Sequence, residues 1–158
     1  EGITTILVDL SGDVVDEEMP FGPLETVWQL DADLATRHMY PAIHPIYSTS
    51  SIMEGTDVDQ RHFGLRQRAQ KLLRRYRELR SIVMVHGIQK LPEGEQTTYD
   101  RGERLEAYLT QPFYVAEKFT GPGEVVSIEQ TLNDVEAILE GKQDQESVEK
   151  LKFIGCLS

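Results

Sequence analysis

Between Asp59 and Val85 the apolar residues Leu65, Ala69, Leu72, Tyr76, Leu79 and Val83 recur at steps of 4, 3, 4, 3 and 4, the spacing that puts them on one face of an α-helix. Gly87 supplies a stop for that helix. The pattern constrains the chain more than any other, because the rest of the sequence must cover its stripe. A second, weaker helix is expected from about Pro92 to Leu109, with Gly94 and Gly102 each costing on the order of 1 kcal/mol relative to alanine. Pro112 breaks it. Tyr114 to Phe119 reads as a short helix and Gly121-Pro122-Gly123 as a turn. Ser127 with Gln130 forms a capping box that opens a helix with Ile128, Leu132, Val135 and Leu139 on its stripe. Gly141 ends it. From about residue 48 onward the expected structure is essentially all helix.

The first 47 residues read differently. Ile3 to Leu10 is β-branched and apolar without a helical period, which suits a strand buried on both faces. Ser11 to Gly22 holds glycine, aspartate and proline and reads as a loop. From Pro23 the residues Leu24, Val27, Leu30 and Leu34 take helical spacing. A strand, a loop and a helix are parts of an α/β layer, but one strand makes no sheet. The fold class expected is therefore mainly α, a helical bundle over 48–158 preceded over 1–47 by the remnant of an α/β domain.

Charge is distributed unevenly along the 158 residues. The chain carries a formal net charge of −11, but residues 61–90 hold nine cations (Arg61, Arg66, Arg68, Lys71, Arg74, Arg75, Arg77, Arg80 and Lys90) against the single acid Glu78. The overall acidity argues against a general nucleic-acid binder, which needs a basic surface to neutralise phosphate. The arginines are expected to pair with the chain's own acids or with a neighbouring subunit. No apolar run reaches the ~18 residues that cross a bilayer. A lone Cys156 makes no internal disulfide, so a reducing cytoplasm is the compartment expected.

Chemistry-bearing motifs are sparse. No Gly-x-x-x-x-Gly-Lys-Ser/Thr loop occurs, and His38, His44, His62 and His86 lack metal-ligand spacing. No catalytic residue and no metal site is assigned. The informative side chains are aromatic, with Tyr40 before a proline-broken loop and Phe113 and Phe119 flanking Ala116.

Three phrases carry a family resemblance. MYPAIHPIYSTS (Met39 to Ser50), LTQPFYVAEKFTG (Leu109 to Gly121) and LNDVEAILEGK (Leu132 to Lys142), with EGITTILVD near the start, resemble the C-terminal third of the beta subunit of F-type ATP synthases. They stand in the family's order and at nearly its separations, and they span essentially the whole chain. The resemblance implies that residues 1–47 are the edge of a RecA-like nucleotide-binding domain and that 48–158 are the helical domain behind it. By motif position, Tyr40 would stack on adenine, with Phe113, Ala116 and Phe119 lining the other side. Stacking on an aromatic face is worth on the order of 1 to 3 kcal/mol.

The same resemblance implies ATP or ADP with Mg2+ in the intact subunit, with none expected on this piece, which lacks the phosphate loop and should be inactive alone. It also implies alpha subunits and a central-stalk gamma subunit as partners, on the cytoplasmic face of a membrane. The rotor contact would fall, by position, on Gln89, Lys90, Leu91, Pro92, Glu93, Gly94 and Glu95. Departures from the family lie at Asp31-Ala32, where it has a Ser-Arg pair, and at Ser51, where it has arginine. The rotor-facing loop here holds two acids where the family has five. Two alternatives stay open, a flagellar or secretion-type rotary ATPase and a non-enzymatic helical module whose basic helix docks an acidic partner.

Overall fold

A computed structural model describes residues 4–8, 24–54, 58–114 and 117–157. Helix dominates it. After a short strand β1 (Thr26–Val27) come α1 (Ala32–Thr36), β2 (Thr49–Ser50), α2 (Gln60–His86), α3 (Gln96–Tyr108), α4 (Glu117–Thr120) and α5 (Ile128–Leu139). No helix among the described residues is long and apolar enough to cross a membrane.

The 27-residue α2 is the spine, about 40 Å long at 1.5 Å per residue. Asp59 caps it by accepting from the Arg61 N–H, and Gly87 ends it at φ 83°, a left-handed angle that glycine adopts without a Cβ clash. Both ends fall within a residue of the expected ones. Leu65, Tyr76 and Leu79 are buried as expected, and Leu73 joins them. Helix α3 packs alongside α2, and α5 contacts both. Leu73, Leu105, Tyr108, Val135 and Ile138 close the main core together with Ile46. A second cluster joins Leu34 and Met39 to Ala107 and Leu151, and a third joins Tyr76 and Leu79 to Tyr99.

Gly102 makes the α2–α3 contact possible. A Cβ built on it would overlap Tyr76 Cβ and lie 2.7 Å from Tyr76 Cγ. A residue that weakens the helix locally thus lets the two backbones approach, and close packing of Tyr76 over it offsets the intrinsic cost. At the other end, Ser127 caps α5 by accepting from the Gln130 N–H at 3.1 Å, and Gly141 takes φ 84° just past its end.

Several expectations are corrected. Residues 4–8 form no strand, and Ile6 and Val8 are 82% and 78% exposed; a strand needs a ladder partner, and none lies beside them among the described residues. The helix expected from Pro23 shrinks to the five residues of α1. Ahead of it the backbone pairs instead, Thr26 with Ser50 and Val27 with Thr49 antiparallel, and Leu30 with Ile43 in a bridge. Leu30 is consequently 75% exposed rather than on a buried stripe, while Leu34 is buried as expected. Helix α3 starts at Gln96, because Pro92 to Gly94 form a turn. Of the short helix expected over Tyr114 to Phe119, Tyr114 is in a helical turn and α4 covers Glu117–Thr120, while residues 115 and 116 lie outside the described residues. The inward face of α5 is rotated: Asp134, Val135 and Ile138 are buried while Ile128 is 69% exposed.

Candidate functional site

The aromatic candidates lie on two segments brought together by one backbone bond. Tyr40 follows α1, and Phe113 follows the end of α3. The Gln111 N–H donates to the Tyr40 carbonyl at 2.9 Å, closing a contact across 71 positions of sequence and holding the two loops side by side. Tyr40 and Phe113 remain 39% and 38% exposed, so each keeps ring surface that the fold has not used. A nearby apolar groove of about 180 Å³ is lined by Leu34, Met39, Pro41, Ile43, Leu109 and Thr110 among others, and by neither Tyr40 nor Phe113. Phe119 belongs to α4. Ala116 and the Phe119 side chain lie outside the described residues.

The wall carrying Phe113 is tied down from behind. Thr110 Oγ1 donates to the Ala107 carbonyl at 2.6 Å and accepts from the Phe153 N–H at 3.0 Å, while Gln111 Nε2 reaches the Gly155 carbonyl at 3.3 Å. The chain's last residues therefore brace the turn that presents Phe113.

Behind Tyr40 lies a cluster of charges that sequence reasoning did not single out. Asp31 caps α1, its Oδ1 accepting from the Asp33 and Leu34 N–H groups at 2.9 and 3.2 Å. Its Oδ2 accepts from Arg77 Nη2 of α2 at 2.7 Å. Burial would raise the Asp31 carboxyl, but the Arg77 bond and the two cap N–H groups hold it below the usual aspartate range. Asp33 is likewise lowered, mainly by its bond to Arg80. Arg37 Nη1 donates to Glu106 Oε2 of α3 at 2.7 Å. Three of the group are nearly out of water, Asp31 at 8%, His44 at 9% and Glu106 at 4% exposure. The one sequence signal was the Asp31-Ala32 departure, since an aspartate before a helical turn is an N-cap.

His44 sits at the centre, stacked on Tyr47 with ring centroids 4.3 Å apart. Its Nδ1 accepts from the Ile46 and Tyr47 N–H groups, both at 3.2 Å. Burial first, and then the Arg77 charge, push its pKa below the ordinary 6.5, with Asp31 opposing. A lowered folded-state pKa means the unfolded chain binds the proton more readily. Stability is therefore full above about 6.5, the unfolded value, and declines as pH falls from there through the folded pKa. Urea unfolding between pH 7.5 and 5 should show this loss in the parent chain and a shallower one in His44→Asn, whose amide oxygen can keep the Nδ1 role. Equal slopes in the two proteins would remove His44 as the cause.

Of the nine cations in the basic block, Arg61, Arg75, Arg77 and Arg80 pair with the chain's own acids, as the sequence suggested for the block. The seven expected rotor-contact residues form the link between α2 and α3. Ile88 to Lys90 make one 3-10 turn, Gly94 takes φ 84°, and Glu95 opens α3. Arg75 holds Glu95 at 2.7 Å and lowers its carboxyl, leaving Glu93 as the loop's acid outside any ion pair among the described residues.

Residues 51–140, more than half of the chain, match the family model described as the C-terminal domain of V and A type ATP synthase. The chain belongs to this family. The match begins just after β2 and ends with α5, so it takes in the α2–α3 spine, the link at the bundle's end and the Phe113 turn. The family match places the protein among rotary ATP synthases at that level, while the sequence resemblance pointed to the F-type beta subunit.

Proposed function

We propose that the chain is the C-terminal portion of a nucleotide-binding subunit of a rotary ATPase resembling the F-type beta subunit. In this reading it supplies the adenine wall of the pocket through Tyr40, Phe113, Ala116 and Phe119. The observation that supports it is the Gln111 N–H to Tyr40 carbonyl bond, which joins the two family phrases through their backbones, with the Tyr40 and Phe113 rings both partly open. An adenine needs an aromatic face and little hydrogen-bond readout to be held there. ATP or ADP with Mg2+ is the ligand of the intact subunit, whose phosphate-binding and catalytic parts this sequence does not contain. Alpha subunits would complete the pocket and a central-stalk gamma subunit would meet the link at Gln89 to Glu95, beside a membrane that other subunits span. Movement of the helical bundle would couple the pocket to the rotor.

Tyr40→Ala in the intact subunit should weaken adenine nucleotide binding about 5- to 150-fold, the loss of one stacking contact of 1 to 3 kcal/mol. Nucleotide titration by fluorescence or calorimetry measures it. Unchanged affinity would sink the assignment of the wall. Lys71 and Arg74, exposed on α2, make no ion pair among the described residues, which keeps the reading as a basic interaction helix in play. Salt-sensitive binding of an acidic protein without any rotary ATPase subunit would favour that second reading.

A further inference from the structure

The Arg77 cluster contains three hydrogen-bonding conflicts, and one movement resolves the second and third of them. First, Arg77 Nε is buried with no hydrogen-bond partner. Second, Glu106 Oε1 is also buried and unbonded, although Arg77 Nη2 is only 3.8 Å away, about 1 Å beyond a hydrogen bond. Third, His44 is asked to accept on both nitrogens. Its Nδ1 takes the Ile46 and Tyr47 N–H groups, and its Nε2 lies 2.9 Å from Arg77 Nη1. A neutral imidazole has one proton and one lone pair on its ring nitrogens. If Nδ1 accepts, Nε2 carries the proton and confronts an arginine donor. Buried polar groups are costly when unpaired, so an arrangement holding several such conflicts has a close competitor.

We infer that Arg77 is a positioning residue for the Tyr40 wall that exchanges between two sets of partners. In the arrangement observed it holds Asp31, the cap of α1. In the other it moves by about an ångström, within hydrogen-bond reach of Glu106 Oε1 on α3. His44 Nε2–H, no longer facing a donor, then bonds Asp31 Oδ2, from which it stands 3.8 Å away here. Asp31 keeps a partner throughout, Glu106 gains one, and the imidazole has a single consistent tautomer. Arg37 and Arg80 keep their bonds to Glu106 Oε2 and to Asp33.

The two partners of Arg77 belong to the two segments of the wall. The Asp31 N–H donates to the Ala42 carbonyl at 2.8 Å, two residues from Tyr40, and Glu106 stands five residues before Gln111 on the Phe113 side. The exchange therefore lets the Tyr40 segment shift against α3 while every carboxylate in the cluster keeps a hydrogen-bond donor. Its importance for adenine rests on the proposed function; the exchange itself does not.

NMR on the 15N-labelled chain tests it. Relaxation dispersion is expected at Arg77 Nε and at the Asp33 and Leu34 amides, which report Asp31, with one common rate, and the His44 15N shifts should show the Nε2–H tautomer. Glu106→Gln keeps the shape but removes the negative charge that attracts Arg77, and should reduce the exchange contribution at least threefold. A flat profile at Arg77 Nε in the parent chain overturns the inference, as does an Nδ1–H tautomer of His44, which would make the Arg77 to Nε2 bond permanent. Dispersion unchanged in a folded Glu106→Gln does the same. If nucleotide affinity proves independent of Tyr40 while the exchange persists, the proposed function fails and the exchange stands.

Discussion

Asp134→Ala is expected to lower the stability of the chain by about 3 kcal/mol, since orphaning each buried donor costs about 1 to 3 kcal/mol. The carboxylate is 4% exposed and ties three elements together. Its Oδ2 accepts from Tyr108 Oη of α3 and from the Leu157 N–H of the C-terminal segment, both at 2.9 Å, and its Oδ1 from Gln130 Nε2 one turn earlier on α5. Removing it leaves the Tyr108 hydroxyl donor unpaired beneath a ring with 0% exposure. Burial and the Asp134 bond both push the Tyr108 phenol up, so the phenol stays a neutral donor. Asp134→Asn, which keeps an acceptor oxygen, should lose roughly half as much, because a neutral acceptor makes a weaker bond than a charged one. Chemical denaturation of the three proteins measures the order. A loss under 1 kcal/mol for Asp134→Ala would show that the C-terminal segment is held by Ile154 and Leu157 packing on the core and not by this clasp.

Gly102→Ala should destabilise as well, by about 2 kcal/mol, within the range for overpacking a close contact. In an exposed helix the same change would stabilise by about 1 kcal/mol. The sign reverses because the new methyl would meet the first atoms of the Tyr76 side chain, which cannot move without moving α2. Tyr76 is 2% exposed and packs on Tyr99 with ring centroids 5.4 Å apart, so it has no empty space to rotate into. Tyr76→Ala in the Gly102→Ala background removes Cγ and the ring but keeps the Cβ that the new methyl meets first, so it should relieve only part of the clash, and the two losses should fall modestly short of additive. Thermal or denaturant unfolding of the cycle decides it. An increase in stability on Gly102→Ala would mean that the helices separate more easily than the packing implies.

These two residues show where the sequence can be read and where it cannot. Gly102 looked like a weakness of α3 because propensity is a property of one helix, whereas its use depends on Tyr76, 26 positions earlier. Asp134 lies one residue before Val135, off the apolar stripe of Ile128, Leu132, Val135 and Leu139. Its burial follows from Tyr108 and Leu157 reaching it, and neither can be seen from α5 alone. The N-terminal segment departs from its helical spacing for a related reason. Leu24, Val27, Leu30 and Leu34 have helical spacing, but the backbone around β1 finds partners at Ile43, Thr49 and Ser50, and long-range pairing overrides a weak local preference.

The sequence by itself determined the helical bundle, both ends of α2, the Ser127 cap and the Gly141 stop of α5, because these depend on spacing and on residues within one or two turns. It also marked Tyr40 and Phe113 as the aromatic candidates through the phrases around them. Only the tertiary structure decided that a Gln111 to Tyr40 bond sets those two segments side by side, and that Arg77 meets Asp31, His44 and Glu106 from three different elements. The physical reason is common to both. Hydrogen bonds and ion pairs reach only about 3 Å, so their partners are chosen by how the helices pack, and a charge pattern read along the chain shows which residues need partners without showing which ones they find.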